Sequence, residues 1–219
     1  MGNYVRLDGP TFFWEERFWR GGLRLVAGVD EAGRGPLAGP VVAAAVVFPT
    51  CFSAPWLAQV DDSKRLSPSR RKALVPQIRA NALAVGVGVA SPEEIDTLGI
   101  VPATRLAMER AVGALGVPPQ AVLVDAMPLE IKGVRCIPLV HGDHLSLSVA
   151  AASIVAKVER DALMEALDVH YPGYGFRRHK GYPTPQHLEA LRRLGPSPIH
   201  RRSFAPVREV QEWETQGRR

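Results

Sequence analysis

Asp30-Glu31-Ala32-Gly33-Arg34-Gly35 decides how the rest of this chain is read. An apolar run holding Leu25, Val26, Ala27 and Val29 ends in two adjacent carboxylates. That pattern reads as a buried strand delivering charge to the rim of a sheet. The loop that follows offers backbone N–H groups and one fixed positive charge. Acids able to hold a metal, beside a loop able to approach a phosphate or sugar, point to phosphoryl-transfer chemistry.

Working outward, residues 23–30 and 38–48 are two strand candidates flanking the glycine-rich loop, and they suit a hairpin. Upstream, Phe12, Phe13, Trp14, Phe18 and Trp19 lie among Glu15, Glu16, Arg17 and Arg20. This spacing predicts a short amphipathic helix closing against the domain. Downstream, Ser67 and Pro68 suit the N-cap and first position of a helix to about Asn81, with Pro76 expected to kink or split it. Residues 83–90 read as a strand, Ser91 and Glu94 resemble a capping box, and helical pattern continues through 100–115. Residues 121–124 form a short buried strand ending on Asp125, and 134–140 form another. Ser146 or Ser148 opens a long helix to about Leu167, a Gly/Pro/Tyr-rich loop spans 171–184, and helices follow at 185–194 and around 207–214. Strands alternating with helices, after an early strand pair, predict an α/β fold with a mixed sheet.

Asp125 repeats the grammar of Asp30, an apolar strand terminating in an acid, and Asp143 stands just before a helix start. Strand ends of α/β sheets gather at a common edge. Asp30, Glu31, Asp125 and Asp143 therefore form a candidate oxygen-ligand set for Mg²⁺ or Mn²⁺. His141 and His144 flank Asp143, but no cysteine or clear third ligand stands at zinc spacing, so they read as solvated or hydrogen-bonded histidines.

The bulk composition agrees. With 46% hydrophobic and 22% charged residues over 219 positions, the chain has the make-up of a soluble globular protein with a sizeable core. A net charge of +5 favours polyanionic partners. Cys51 and Cys136 are too few for a disulfide framework and read as reduced thiols of a cytoplasmic protein. The N-terminus lacks the clean apolar run of a signal peptide, Arg6 stands where a myristoylation signal needs Ser or Thr, and no stretch reaches membrane-span length.

Six stretches, in order, resemble the type 2 ribonuclease H family, bacterial ribonuclease HII. They are VDEAGRGPLAGP at 29–40, DDSKRLS at 61–67, LVDA at 123–126, GDHLSLSVAAASIVAKVERD at 142–161, YPGYGFRRHKGYPTPQH at 171–187 and HRRSFAP at 200–206. The resemblance spans roughly 25–208. It implies an RNase H-like mixed β-sheet flanked by helices, with a C-terminal helical extension from about residue 171, after a catalytic domain over 23–170 and an N-terminal segment over 1–22. It implies endonucleolytic cleavage of RNA in RNA/DNA hybrids and at single ribonucleotides embedded in duplex DNA, by two Mn²⁺ or Mg²⁺ ions, with 5′-phosphate and 3′-hydroxyl products. By motif, Asp30 and Glu31 map to paired metal ligands, Asp125 to the next ligand and Asp143 to the fourth acid. Gly33, Arg34 and Gly35 map to the loop that recognises the ribonucleotide 2′-OH, and Tyr182 to a tyrosine stacking on the sugar at the RNA–DNA junction. Tyr174 is the competing candidate, with a bland role filling a loop core. Lys64 is a second candidate phosphate contact, beside Arg34.

The physics of the loop stands beside this. A protein distinguishes RNA from DNA at one site through the 2′-OH, glycines let backbone approach a sugar closely, and the fork of Arg34 suits a phosphate. The gly-arg-gly spelling, with no preceding substrate-binding domain, argues against the sister type, ribonuclease HIII. The tail EVQEWETQGRR lacks the aromatic pair of a sliding-clamp-binding peptide, and a monomer is expected. Two rivals remain: a hybrid nuclease without single-ribonucleotide cleavage, and a basic nucleic-acid-binding module whose acids are structural.

Overall fold

The structure is a computed structural model that describes residues 9–216. Its sheet is built from β1 (Val26–Ala32), β2 (Val41–Val47), β3 (Ala84–Ala90), β4 (Ala121–Asp125) and β5 (Arg135–Leu139), in the order β3-β2-β1-β4-β5. β1 pairs antiparallel with β2 and parallel with β4, and β4 pairs parallel with β5. The sheet is therefore mixed, as the early strand pair predicts. The helices are α1 (Phe13–Arg20), α2 (Pro68–Asn81), α3 (Pro92–Leu98), α4 (Ile100–Gly113), α5 (Gly142–Leu145), α6 (Leu147–His170), α7 (Phe176–His179), α8 (Pro185–Leu194) and α9 (Ala205–Gln216).

Every residue of β2 is buried, because helices cover both faces of the sheet. Period-2 alternation sorts the strand side chains between the two layers. Val41, Ala43, Ala45 and Val47 join Ala103, Ala107 and Ala111 of α4 in one core. Ala44, Val46 and Phe48 join Ala151, Ile154 and Val155 of α6 in the other. Gly28 lets α6 press onto β1, since a Cβ there would lie 2.1 Å from the Ser148 carbonyl carbon.

Several local signals behave as their chemistry requires. The Ser67 hydroxyl accepts from Arg70 N at 3.2 Å, and the Ser91–Glu94 capping box is closed in both directions. Ser146, not Ser148, caps α6, accepting from Val149 N at 3.2 Å. Other details depart from the sequence reading. Pro76 neither splits nor ends α2, which runs unbroken to Asn81. It removes only the bond to the Lys72 carbonyl, and both residues are exposed, so water can satisfy that carbonyl. The helical pattern after Ser91 is cut at Gly99, whose φ of 84° is incompatible with a helix, giving α3 and α4. The short helices α5 and α7 are too brief to show a helical period.

Glu15 also departs from expectation. On an amphipathic α1 it belongs with the polar face, yet it is fully buried. Its Oε1 accepts from the Ser146 hydroxyl at 2.6 Å and from Ser148 N at 2.9 Å, so its charge caps the start of α6. Burial nevertheless pushes its pKa up, against those hydrogen bonds. No helix among the described residues is long and apolar enough to cross a membrane. The readings at Gly2 and Arg6 lie outside the described residues, as does the end of the 209–219 tail.

Candidate active site

The strand register creates the site. Val29 is paired with Val124 across two parallel strands, so Asp30 and Asp125 are the next residues along each. Alternation puts Asp30 on the face of Gly28, against α6, and Asp125 on the face of Leu123, which packs on Val149 of α6. Asp143 enters from α5, just ahead of α6. The placement is reinforced by Gly142 N, which donates to Asp125 Oδ1 at 2.7 Å. One oxygen from each of Asp30, Asp125 and Asp143 lies within 4.8 Å of the others. The chain turns sharply after Asp125: Ala126 has φ 45°, a left-handed conformation costing roughly 1–2 kcal/mol in a non-glycine residue.

Packing acids together in a buried place has an electrostatic cost. Burial, then the charges of Glu31, Asp125 and Asp143, lift the Asp30 pKa well above its ordinary value. Burial raises Glu31 as well, partly offset by Arg34, whose guanidinium lies 3.4 Å from Glu31 Oε1. Burial and the Asp125 charge raise Asp143. Lys64 shows the converse: burial works to lower its pKa, but Asp62, Asp30, Asp143 and Asp125 together raise it. Oxygen-only donors, buried and mutually repelling, fit a hard divalent cation, which would relieve the repulsion that raises these pKa values.

The residues expected to read the sugar form a second cluster beside the acids. Gly33 takes φ 98° and sits so close to Arg160 that a Cβ would lie 1.9 Å from its Nε. Gly35 has no positive φ, and a Cβ there would come only to 4.0 Å from Tyr182 Cε1. The Tyr182 ring, 40% exposed, thus stands next to the glycine loop, with Lys157 Nζ 5.7 Å and Arg160 Cζ 5.9 Å from its centroid. Tyr174 is elsewhere: it is buried, stacks on Phe176 at 5.1 Å, and its hydroxyl donates to Gly195 O at 2.7 Å.

Some contributors escaped the sequence reading. Asp62 is buried next to Asp143 and His144, and one ligand atom from each lies within 4.8 Å of the others. Its place in the quoted Asp61–Ser67 motif was the available signal. His144 is partly exposed, 3.8 Å from Asp62 and 3.9 Å from Asp61. Two fully buried arginines hold the loop from beneath. Arg201 donates to the carbonyls of Gly33 at 2.6 Å, Arg34 at 2.8 Å and Gly39 at 2.9 Å. Arg160 donates to Pro40 O at 3.0 Å and Ala38 O at 3.2 Å. Burial and the Arg160 charge push the Arg201 pKa down to about 9, which still leaves it charged at neutral pH.

This arrangement agrees with what the chain resembles. Residues 27–207 match the family model for Ribonuclease HII. The chain is 56% identical over 199 residues to ribonuclease HII of Geobacillus kaustophilus, covering 90% of this chain and 74% of that one. It is 52% identical over 217 residues to that of a Synechococcus strain, covering 99% and 98%. Among solved structures, ribonuclease H2 of Pyrococcus horikoshii superposes with a TM-score of 0.72 at 30% identity, over 87% of this chain and 99% of that one. With an acid cluster suited to a divalent cation on the central strands of a mixed sheet, the chain belongs to the ribonuclease HII family, the metal-dependent endoribonucleases of RNA/DNA hybrids.

Proposed function

We propose that the chain cleaves not only the RNA strand of long hybrids but also duplex DNA at a single embedded ribonucleotide, leaving 5′-phosphate and 3′-hydroxyl ends. The observation that carries this reading is the nearness of loop and ring: a Cβ on Gly35 would lie 4.0 Å from Tyr182 Cε1, so a 2′-OH reader and a flat face are adjacent. Backbone groups around Gly33, Arg34 and Gly35 would meet the ribose hydroxyl. The face of Tyr182 would lie against the following deoxyribose, which lacks the hydroxyl that would crowd it. Arg34, with its side chain 47% exposed, and Lys64 would hold phosphate oxygens.

Asp30, Glu31, Asp125 and Asp143 would hold two divalent cations, Mg²⁺ or Mn²⁺. Two such ions supply Lewis acidity at both the attacking water and the leaving 3′-oxygen. The net charge of +5 favours a polyanionic duplex, with affinity falling as salt rises.

The test is cleavage of a DNA duplex holding one ribonucleotide, beside an all-RNA/DNA hybrid, with Mg²⁺, with Mn²⁺ and with chelator. Cleavage of both substrates, only with metal, is expected. A hybrid cut normally beside an intact embedded ribonucleotide would reduce the activity to that of a general hybrid nuclease.

A further inference from the structure

Three buried histidines lie behind Tyr182, and their hydrogen bonds leave no freedom in where the protons sit. Ser197 N donates to His200 Nδ1 at 3.0 Å, and the Ser197 hydroxyl lies 2.8 Å from the same nitrogen. A backbone N–H can only donate, so His200 Nδ1 accepts and its proton is on Nε2. That Nε2 is 3.1 Å from His187 Nε2, which must then accept. His187 carries its proton on Nδ1, 3.0 Å from the Tyr182 carbonyl, which can only accept. The two ends of the line, an amide and a carbonyl, dictate the same direction independently. His179 stacks on His187 at 4.4 Å, accepts from Gly181 N at 3.2 Å and donates to Tyr174 O at 2.8 Å.

The line also reaches the glycine loop. His200 bridges Ala38, Gly39 N donates to Ile199 O at 2.9 Å, and Arg201 N donates to Leu37 O at 2.9 Å. On the other side, Leu37 N donates to Gly181 O at 2.8 Å, one residue before Tyr182. His200 is thus anchored to the segment that follows Gly33–Gly35, and through His187 it grips the backbone of Tyr182. Burial first of all pushes His187 down to about 4 and His200 to about 3, which keeps both neutral at physiological pH.

We infer that His187 and His200 are positioning residues for junction recognition: as a pair of fixed tautomers they set the distance between the glycine loop and the Tyr182 ring. This rests on the junction role proposed for Tyr182. Neither histidine touches substrate. His200 donates to His187 Nε2 and holds that ring in place, while the His187 Nδ1–H holds the Tyr182 carbonyl.

The experiment compares kcat/KM on a duplex with one embedded ribonucleotide with kcat/KM on a long hybrid, as a ratio. It uses the full chain, with folding checked by circular dichroism. His187→Leu and His200→Leu should each lower the ratio about tenfold, the equivalent of one buried hydrogen bond. His187→Asn keeps a donor near the Nδ1 position, and His200→Gln keeps one near Nε2, so both should retain most of it. His187→Leu combined with Tyr182→Ala should be no worse than Tyr182→Ala alone, because the pair acts through that ring. A wild-type ratio in folded His187→Leu, beside a lowered ratio in Tyr182→Ala, overturns the inference and leaves the stacking reading standing. An unchanged ratio in Tyr182→Ala overturns both. Should the leucine variants not fold, ¹⁵N NMR of the unmodified protein decides: His187 protonated on Nδ1 and His200 on Nε2 is the expected pattern, and the opposite tautomer at either overturns the inference.

Discussion

Asp30 and Asp125 stand side by side on neighbouring parallel strands, each one residue beyond the paired Val29 and Val124. Their carboxylates, with that of Asp143, are close enough to share a cation and close enough to repel without one. Stability and activity therefore oppose each other at this point. Asp30→Asn keeps the shape and removes one buried charge, so it should abolish nearly all cleavage. The metal-free protein should become more stable, by on the order of 1–2 kcal/mol, or a few degrees in Tm. Added Mg²⁺ or Mn²⁺ should raise the wild-type Tm and leave the variant's nearly unmoved. A variant that loses stability without metal, or cleaves normally, would show that the acids do not form one repelling cluster.

Glu15 offers a pH test remote from that cluster. Its folded pKa is raised above 4.5, so the ionised form is disfavoured in the native state. The group's contribution to stability is fully present below pH 4.5 and is lost as pH rises through the folded pKa. Glu15→Gln retains an oxygen for Ser146 and Ser148 and carries no charge to bury. At pH 8 it should match or exceed the wild type by about 1 kcal/mol. That advantage should shrink as pH falls towards 4.5, read from urea midpoints across the range. An advantage that grows on acidification would reverse the sign of the argument.

The two loop glycines should separate on substitution. Gly33→Ala meets both a left-handed φ of 98° and the Arg160 side chain, so it should cost at least about 2 kcal/mol and disorder the loop. Gly35→Ala meets neither obstacle, since its Cβ would rest in ordinary contact with Tyr182. It should fold with near-normal stability, and any loss of cleavage must come from the approach of substrate. Thermal melts with the two-substrate assay check both. Equal destabilisation by the two alanines would mean that the loop is not held as described.

What could be read from the sequence follows a physical division. Asp30 and Asp125 are legible because each ends an apolar run; only Asp125 also ends its strand, since β1 continues through Asp30 to Ala32, held by its pairing with β2. Pro185–Leu194 was legible because Thr184, Pro185 and Gly195 mark its ends chemically, the Thr184 hydroxyl accepting from His187 N at 3.2 Å. Arg160, Arg201, His187 and His200 carried no such mark. Apart from Tyr182 for His187 and Ser197 for His200, their partners lie 13 to 168 residues away in sequence, so their burial and pairing are complete only once α6 and the 197–204 segment have closed on the loop. Glu15 was misplaced for the same reason, its partners being over 130 residues away.

Arg201 is the residue on which that closure most depends. Its three donors turn the carbonyls of Gly33, Arg34 and Gly39 inward, which leaves the opposite side of the loop for a ligand. Arg201→Lys keeps a positive charge but has no planar fork, and one ammonium cannot reach three carbonyls in that geometry. Two buried acceptors would be left without a partner, at about 1–3 kcal/mol each. The variant should therefore unfold at lower urea, by roughly 2–6 kcal/mol in total. At a temperature where it is still folded, cleavage at the embedded ribonucleotide should fall further than cleavage of the long hybrid, which offers many 2′-hydroxyls for a loosened loop to find. Arg160→Lys, which gives up fewer carbonyls, should be milder in both respects. If Arg201→Lys proves as stable as the wild type, the loop is held by its own backbone and not by the arginine beneath it.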